Sequence, residues 1–396
     1  MKITNIEAFL CDGGWWPWIF VKIETDEGIV GYGECSDNRV NPYGIVGCVD
    51  DLKPLLIGAD PRAVEALYWQ MHRLTRPNLG GVVQKAIAGI EIALWDIKAK
   101  ALDISVSELF GGPIRDRIRL YWSHCGTYRA LYPDMVGSTG IRSLSDITEL
   151  GAEVAERGFT ALKTNIVVPG EPASTVWTTD GNATRETCRA IEQLLAAFRD
   201  GAGDSVDIAL DLNFNFRTEG NIRIARLVEQ FDLMWLELDC YDPAALLQVK
   251  NSARTPICSG ESLYTMRQYK PFLDAHAVDI AMVDVAWNGL SESRRIAALA
   301  DICEMPVAPH NYYSHLSTLL SAHFCACVPN LKILEVDVDS VPWRDDLLSE
   351  PLEIVDGHLL LPKKPGLGAD LNEAEVRKRP WVPKVDPLKL RRVRGA

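Results

Sequence analysis

The chain has 396 residues, 47% apolar and 24% charged, a composition that suits a folded globular protein of one to three domains. Its formal net charge of −13 argues against a nucleic-acid partner, and an anionic substrate would need a local cationic site. No apolar run is long enough to cross a bilayer, the first residues lack the ordered regions of a secretory leader, and the ten cysteines are scattered from Cys11 to Cys327. A cytoplasmic protein with reduced thiols and no membrane partner is therefore expected.

Residues 1 to about 60 read as strands: KITNIEAFL, WIFVKIET and IVGYGECS, with TDEG turning between the last two. The Gly13–Trp18 stretch lies between the first two and is expected to cover a substrate mouth, with Trp18 as a contact. Asn38 and Arg39 follow a strand end and are candidates for reading distal hydroxyl or carboxylate groups. Residues 61–110 read as helices, the first entered through Asp60 as N-cap and Pro61. In Gln84–Ala101 the residues Ile87, Ile90, Ala93, Leu94 and Ile97 share one face. Gly111-Gly112-Pro113 stops that pattern and bounds a first domain at residues 1–113.

Strand–helix alternation then fills 114–340. IRLYWS is the first strand, with His124 just beyond it, and FTALKTN is the second, ending near Lys163. Residues 167–182, VVPGEPASTVWTTDGN, carry no helical pattern. They read either as a lid or specificity element or as a surface insertion. After Asp339, LEIVDGHLLLP reads as a hairpin turning at Asp356-Gly357, and the chain ends in basic runs, RKRP and LKLRRVRGA, within a third segment, 341–396.

Six residues form a ladder through the alternating region: Asp211, Glu237, Glu261, Asp284, His310 and Glu335, each 23 to 26 residues after the last and each just beyond a short apolar run. One strand and its return helix occupy about that length. In a (β/α) barrel, strand C-termini converge on one mouth, where the active site lies. Five carboxylates and an imidazole gathered there call for a cation.

The strings TDEGIVGYGE, AIAGIEIALWDIKAKALDISVSELFGG, ALKTN, ALDLN, WLELD, SGES, MVDVAWNGL, APHNYY and KPGLGADLNE occur in the order found in the enolase superfamily, and the chain resembles its mandelate racemase subgroup over nearly its full length. The resemblance implies an α/β architecture. A (β/α)7β modified TIM barrel would carry an α+β capping domain built from the N-terminal segment and the C-terminal segment 341–396. It implies Mg²⁺ held by Asp211, Glu237 and Glu261, an acid/base dyad of Asp284 and His310, and Lys163 as the first lysine of Lys-x-Lys. Glu335 is the eighth-strand residue that hydrogen-bonds the substrate carboxylate.

Three positions depart from the pattern: Glu237-Leu238-Asp239 stands for Glu-Glu-Pro, Asn165 for the second lysine, and Asn213 for the histidine that galactonate dehydratases of the subgroup use. Asn165, Asn213, His124, Arg39 and Trp18 are the expected substrate contacts. The implied activity is a Mg²⁺-dependent dehydratase of an acid sugar, an aldonate or aldarate. It would remove the proton α to a small-molecule carboxylate and expel the β-hydroxyl to give a 2-keto-3-deoxy acid. Racemisation or epimerisation of a 2-substituted carboxylate, or a binding homologue that has lost turnover, are the alternatives. The resemblance also implies a homo-oligomer.

Overall fold

The computed structural model describes residues 1–37 and 41–383; Asn38, Arg39 and the basic LKLRRVRGA end lie outside the described residues. Strands Ile3–Asp12, Pro17–Thr25 and Val30–Glu34 form an antiparallel three-stranded sheet. Helices Pro42–Leu56, Val64–Leu74 and Gly81–Ala101 follow it. The long helix sits directly on the third strand: a Cβ on Gly33 would lie 2.1 Å from the Gly89 carbonyl oxygen, so only glycine permits this approach. Asp60 does not cap a helix. Its carboxylate accepts from the Arg62 backbone N–H at 3.0 Å and from the Arg62 guanidinium, closing a local turn, and the helix begins at Val64.

Eight parallel strands follow: Arg117–Ser123, Ala161–Asn165, Asp207–Asp211, Trp235–Glu237, Ile257–Ser259, Ile280–Asp284, Val307–His310 and Leu334–Asp337. The first seven pair in chain order, and the eighth pairs back onto the first, from Leu334 with Leu120 to Asp337 with Ser123. The register sets the site. Asn165 is paired with Asp211, Asp211 with Glu237, and Asp284 with His310, so residues distant in sequence end side by side at the C-terminal rim. Below them the barrel is filled by Tyr121, Trp235, Met282, Cys258 and smaller apolar residues, all buried. All ten cysteines are free, and no described helix is long and apolar enough to cross a membrane.

The 167–182 insertion is a folded element. Val167–Val168 and Ser174–Thr175 form a two-stranded ribbon, and Asn215 beyond the third barrel strand holds it. Asn215 accepts from the Thr178 N–H at 3.2 Å and donates to the Val176 carbonyl at 3.2 Å. Residues 354–360 form the expected hairpin, with Asp356 and Gly357 both at positive φ. Its second strand, His358–Leu360, extends the first barrel strand at Arg117–Arg119. Further on, Glu373 accepts from Tyr32 Oη at 2.8 Å and pairs with Lys22 at 2.7 Å, so this stretch rejoins the N-terminal sheet.

Helix His315–Cys327 carries His323, fully buried, with Nε2 3.2 Å from the Leu367 carbonyl oxygen. Burial pushes its pKa down to about 4 from 6.5. The fold therefore favours neutral imidazole, and this stabilisation is full above pH 6.5 and lost as pH falls towards 4. At about 1.4 kcal/mol per pH unit, roughly 3 kcal/mol is at stake. Urea unfolding between pH 7 and pH 4.5 is expected to show the decline in wild type and a shallower one in His323→Gln, which can still donate to Leu367 but does not titrate. Parallel declines would assign the acid sensitivity elsewhere.

Candidate active site

Lys163 is the centre of the rim. Its side chain is 2% exposed, and its Nζ lies 2.8 Å from Glu237 Oε1, 3.0 Å from Glu335 Oε1 and 3.9 Å from Asp211 Oδ2. Burial alone would lower the lysine pKa; the Glu237 and Glu335 carboxylates outweigh it and hold the ammonium well above its ordinary value. Lys163 is thus a fixed positive charge among the acids, the local cationic site that an anionic substrate would need.

Asn165 and Asn213 both donate to Asp211. Asn165 Nδ2 donates to Asp211 Oδ2 at 3.1 Å, as does Asn213 Nδ2 at 3.1 Å, and the Asn213 N–H donates to Oδ1 at 2.7 Å. Asn213 sits at φ 50°, a left-handed conformation that asparagine tolerates better than most residues. Thr127 Oγ1 donates to Asn165 Oδ1 at 2.9 Å, which fixes the amide's orientation.

Asp284 and His310 meet as expected: His310 Nδ1 lies 2.7 Å from Asp284 Oδ2. Two further donors hold that aspartate, the Tyr313 hydroxyl on Oδ2 at 2.6 Å and the Trp287 N–H on Oδ1 at 2.8 Å. His310 Nε2 faces Glu261 Oε2 at 3.2 Å. Burial opposes the charged imidazole, but Glu261 and the Asp284 hydrogen bond outweigh it and hold His310 at about 10. The Glu335 carboxyl accepts from Ser123 Oγ and from the Asn311 N–H at 2.7 Å. Burial would raise it, but Lys163, His310 and His124 hold it far below the usual range.

A fourth acid, Asp239, stands beside the three ladder carboxylates. It is buried, hydrogen-bonded to Glu261, and pushed up to about 7 by burial and then by Glu237 and Asp211. Glu237 and Glu261 are each raised to about 8, first by burial and then by neighbouring charges. The sequence signal for Asp239 was present, since it fills the position where the resemblance expects proline.

The cap reaches this rim through residues other than the one expected. Trp18 is 3% exposed and packs within the cap, its strand neighbour being Cys11. Trp16 makes the contact instead: its ring lies 5.8 Å from that of Tyr312, and its Nε1 is 3.5 Å from the Tyr128 hydroxyl. The Trp287 indole N–H donates to the Ser36 carbonyl at 2.7 Å, and buried Glu34 accepts from Ser314 and Ser317, so the cap is fastened to the loop after His310. His124 lies at the rim, paired with Asp337 at the end of the eighth strand. Arg39, the remaining expected contact, lies outside the described residues.

The donor set fits a hard divalent cation. Asp211, Glu237, Glu261 and Asp239 supply carboxylate oxygens; burial first, and then the neighbouring carboxylates, raise Glu237, Glu261 and Asp239, and a cation would offset that second part. Among the described residues no three such side chains already close on a common point. Two of the ladder acids are instead turned onto internal partners, Glu237 onto Lys163 and Glu261 onto His310.

Comparison with known proteins agrees on the family. Residues 146–375 match the family described as enolase C-terminal domain-like, and residues 15–111 match the N-terminal domain of mandelate racemase and muconate lactonizing enzyme. The chain is 32% identical to the D-xylonate dehydratase of Haloferax volcanii over 94% of its own length and 87% of that protein's. It is 29% identical to the D-gluconate dehydratase of Thermoproteus tenax over 93% and 71%. Among solved structures, a Burkholderia xenovorans protein provisionally assigned as an L-alanine-DL-glutamate epimerase, bound to magnesium and fumarate, superposes with a TM-score of 0.94 at 41% identity, covering 99% of each chain.

Proposed function

Because the chain belongs to the enolase superfamily, in its mandelate racemase subgroup, we propose that it is a divalent-cation-dependent dehydratase of an acid sugar, converting an aldonate or aldarate to a 2-keto-3-deoxy acid. The observation that carries this reading is the His310–Asp284 dyad set against Glu261 on the same rim as Lys163, Asp211 and Glu237. The names of the Haloferax volcanii and Thermoproteus tenax relatives support the substrate class.

Asp211, Glu237 and Glu261 would hold Mg²⁺. When bound, the cation would draw off negative charge as the substrate carboxylate becomes electron-rich. The remaining work falls to side chains already in place. Lys163 offsets the charge of the substrate carboxylate, and ionised Glu335, 3.0 Å from its Nζ, holds that ammonium in place. His310, with Nδ1 fixed by Asp284, presents Nε2 to the proton α to that carboxylate, which it takes as neutral imidazole; a cation on Glu261 would offset the carboxylate that otherwise favours the protonated ring. Burial excludes water from the transfer.

The test is a panel of aldonates and aldarates incubated with Mg²⁺ and read out as 2-keto acid. At least one is expected to turn over, with the rate abolished by a chelator and restored by the ion. Cation binding with no acid sugar consumed would end the dehydratase reading. The Burkholderia xenovorans neighbour favours a second reading, epimerisation of a 2-substituted carboxylate. Deuterium entering the α-carbon with inversion and no keto acid would establish that instead.

A further inference from the structure

The proposed elimination moves two protons, one off the α-carbon and one onto the departing hydroxyl, and the described site has only one obvious imidazole for both. Asn165 and Asn213 are committed to Asp211 and carry no transferable proton. A second imidazole dyad stands on the other side of Tyr312. His124 follows the first barrel strand and Asp337 ends the eighth, and these strands are paired neighbours. His124 Nδ1 lies 2.8 Å from Asp337 Oδ1, in the same way that His310 Nδ1 meets Asp284.

The His124 ring is stacked on Tyr128 at 4.6 Å and 20°, which fixes its plane. Its backbone is at φ 47°, left-handed and strained for a histidine, so the surrounding structure holds it there. Nε2 has no hydrogen-bond partner among the described residues, and the side chain keeps 17% of its surface open. Tyr312 lies between the two imidazoles, its ring centroid 4.9 Å from that of His310 and 5.9 Å from that of His124.

We propose that His124, positioned by Asp337, is a second catalytic residue of this site and the proton donor to the departing β-hydroxyl. The role rests on the dehydratase reading above. The α C–H bond breaks and its proton passes to His310 in its neutral form. The freed electron pair is held first on the substrate carboxylate; it then forms the C2–C3 double bond as the C3–O bond breaks, and the leaving oxygen takes the His124 proton and departs as water. The resulting enol then ketonises, and solvent returns both imidazoles to their starting states. The groups facing His124 suit a donor: burial alone would lower its pKa, but Asp337 and Glu335 outweigh it, against Lys163, and hold it above the ordinary imidazole value.

The experiment compares His124→Asn with wild type on the acid sugar found active and on its 3-fluoro-3-deoxy analogue, because fluoride leaves without being protonated. Positioned general acids contribute about 10²- to 10⁴-fold. That loss in kcat is expected on the hydroxy substrate, with KM changed little. On the fluoro analogue the loss shrinks to under about tenfold, and deuterium wash-in at the α-carbon in D₂O persists. Asp337→Asn, which keeps the imidazole and disturbs its orientation, is expected to fall between the two. If exchange and both eliminations fall together in His124→Asn, the residue is structural and the proposal is overturned. A loss of less than about tenfold on the hydroxy substrate overturns it as well. Wild type that forms no keto acid overturns the dehydratase reading and this role with it.

Discussion

Replacing His310 with asparagine is expected to lower kcat for keto-acid formation by about 10⁴-fold or more, the upper end for a residue that moves the proton in the rate-limiting step. Asparagine is close to the imidazole in size and its amide can still donate to Asp284, but it takes up no proton. The dyad's geometry makes the substitution clean. Asp284 is held independently by Tyr313 and by the Trp287 N–H, so it stays in place when the imidazole is removed. Glu261 loses its 3.2 Å partner and becomes freer to meet a cation. The variant should therefore bind Mg²⁺ at least as tightly as wild type, measured by calorimetry, while α-deuterium exchange and elimination both disappear. A residual rate within tenfold of wild type would move proton abstraction to another residue.

The layout of the rim was legible because spacing is a physical quantity. A strand and its return helix consume a nearly constant length, so six polar residues at that interval end on one edge once the strands pair in register, as Asp211 with Glu237 and Asp284 with His310 do. What spacing cannot carry is direction. Trp16 and Trp18 are two residues apart in one aromatic run, yet Trp18 lies inside the strand and packs inward while Trp16 stays in the loop and reaches Tyr312, nearly 300 positions away. Asn165 and Asn213 read as gaps because amides are poor bases; their use is as donors to Asp211, which appears only when both side chains are seen on one carboxylate. Asp239 was visible as an oddity at a proline position, but its burial against Glu261 is a tertiary fact. Asp60 and Pro61 carried a local helix-start pattern that a stronger local contact, Asp60 with Arg62, overrode.

Lys163→Met is expected to cost the metal-free protein about 3–5 kcal/mol of stability, a large part of what a typical domain has. The ammonium is nine-tenths buried or more and lies within 4 Å of three carboxylates that are themselves buried. Methionine fills the same space but leaves those acids facing one another without a counter-charge, and a buried charge stripped of its partner is costlier than the pair was favourable. A bound divalent cation would supply part of the missing charge, so the deficit should depend on the ion. A ligand present at about 100 times its Kd stabilises the folded state by about 2.7 kcal/mol. Urea unfolding of wild type and Lys163→Met, each in chelator and in excess Mg²⁺, measures the difference directly: the variant should recover more stability from Mg²⁺ than wild type does. Equal recovery in both would mean that Lys163 and the cation do not share the same carboxylates, and a metal-free loss below about 1 kcal/mol would mean that the acids take up protons instead of relying on the lysine.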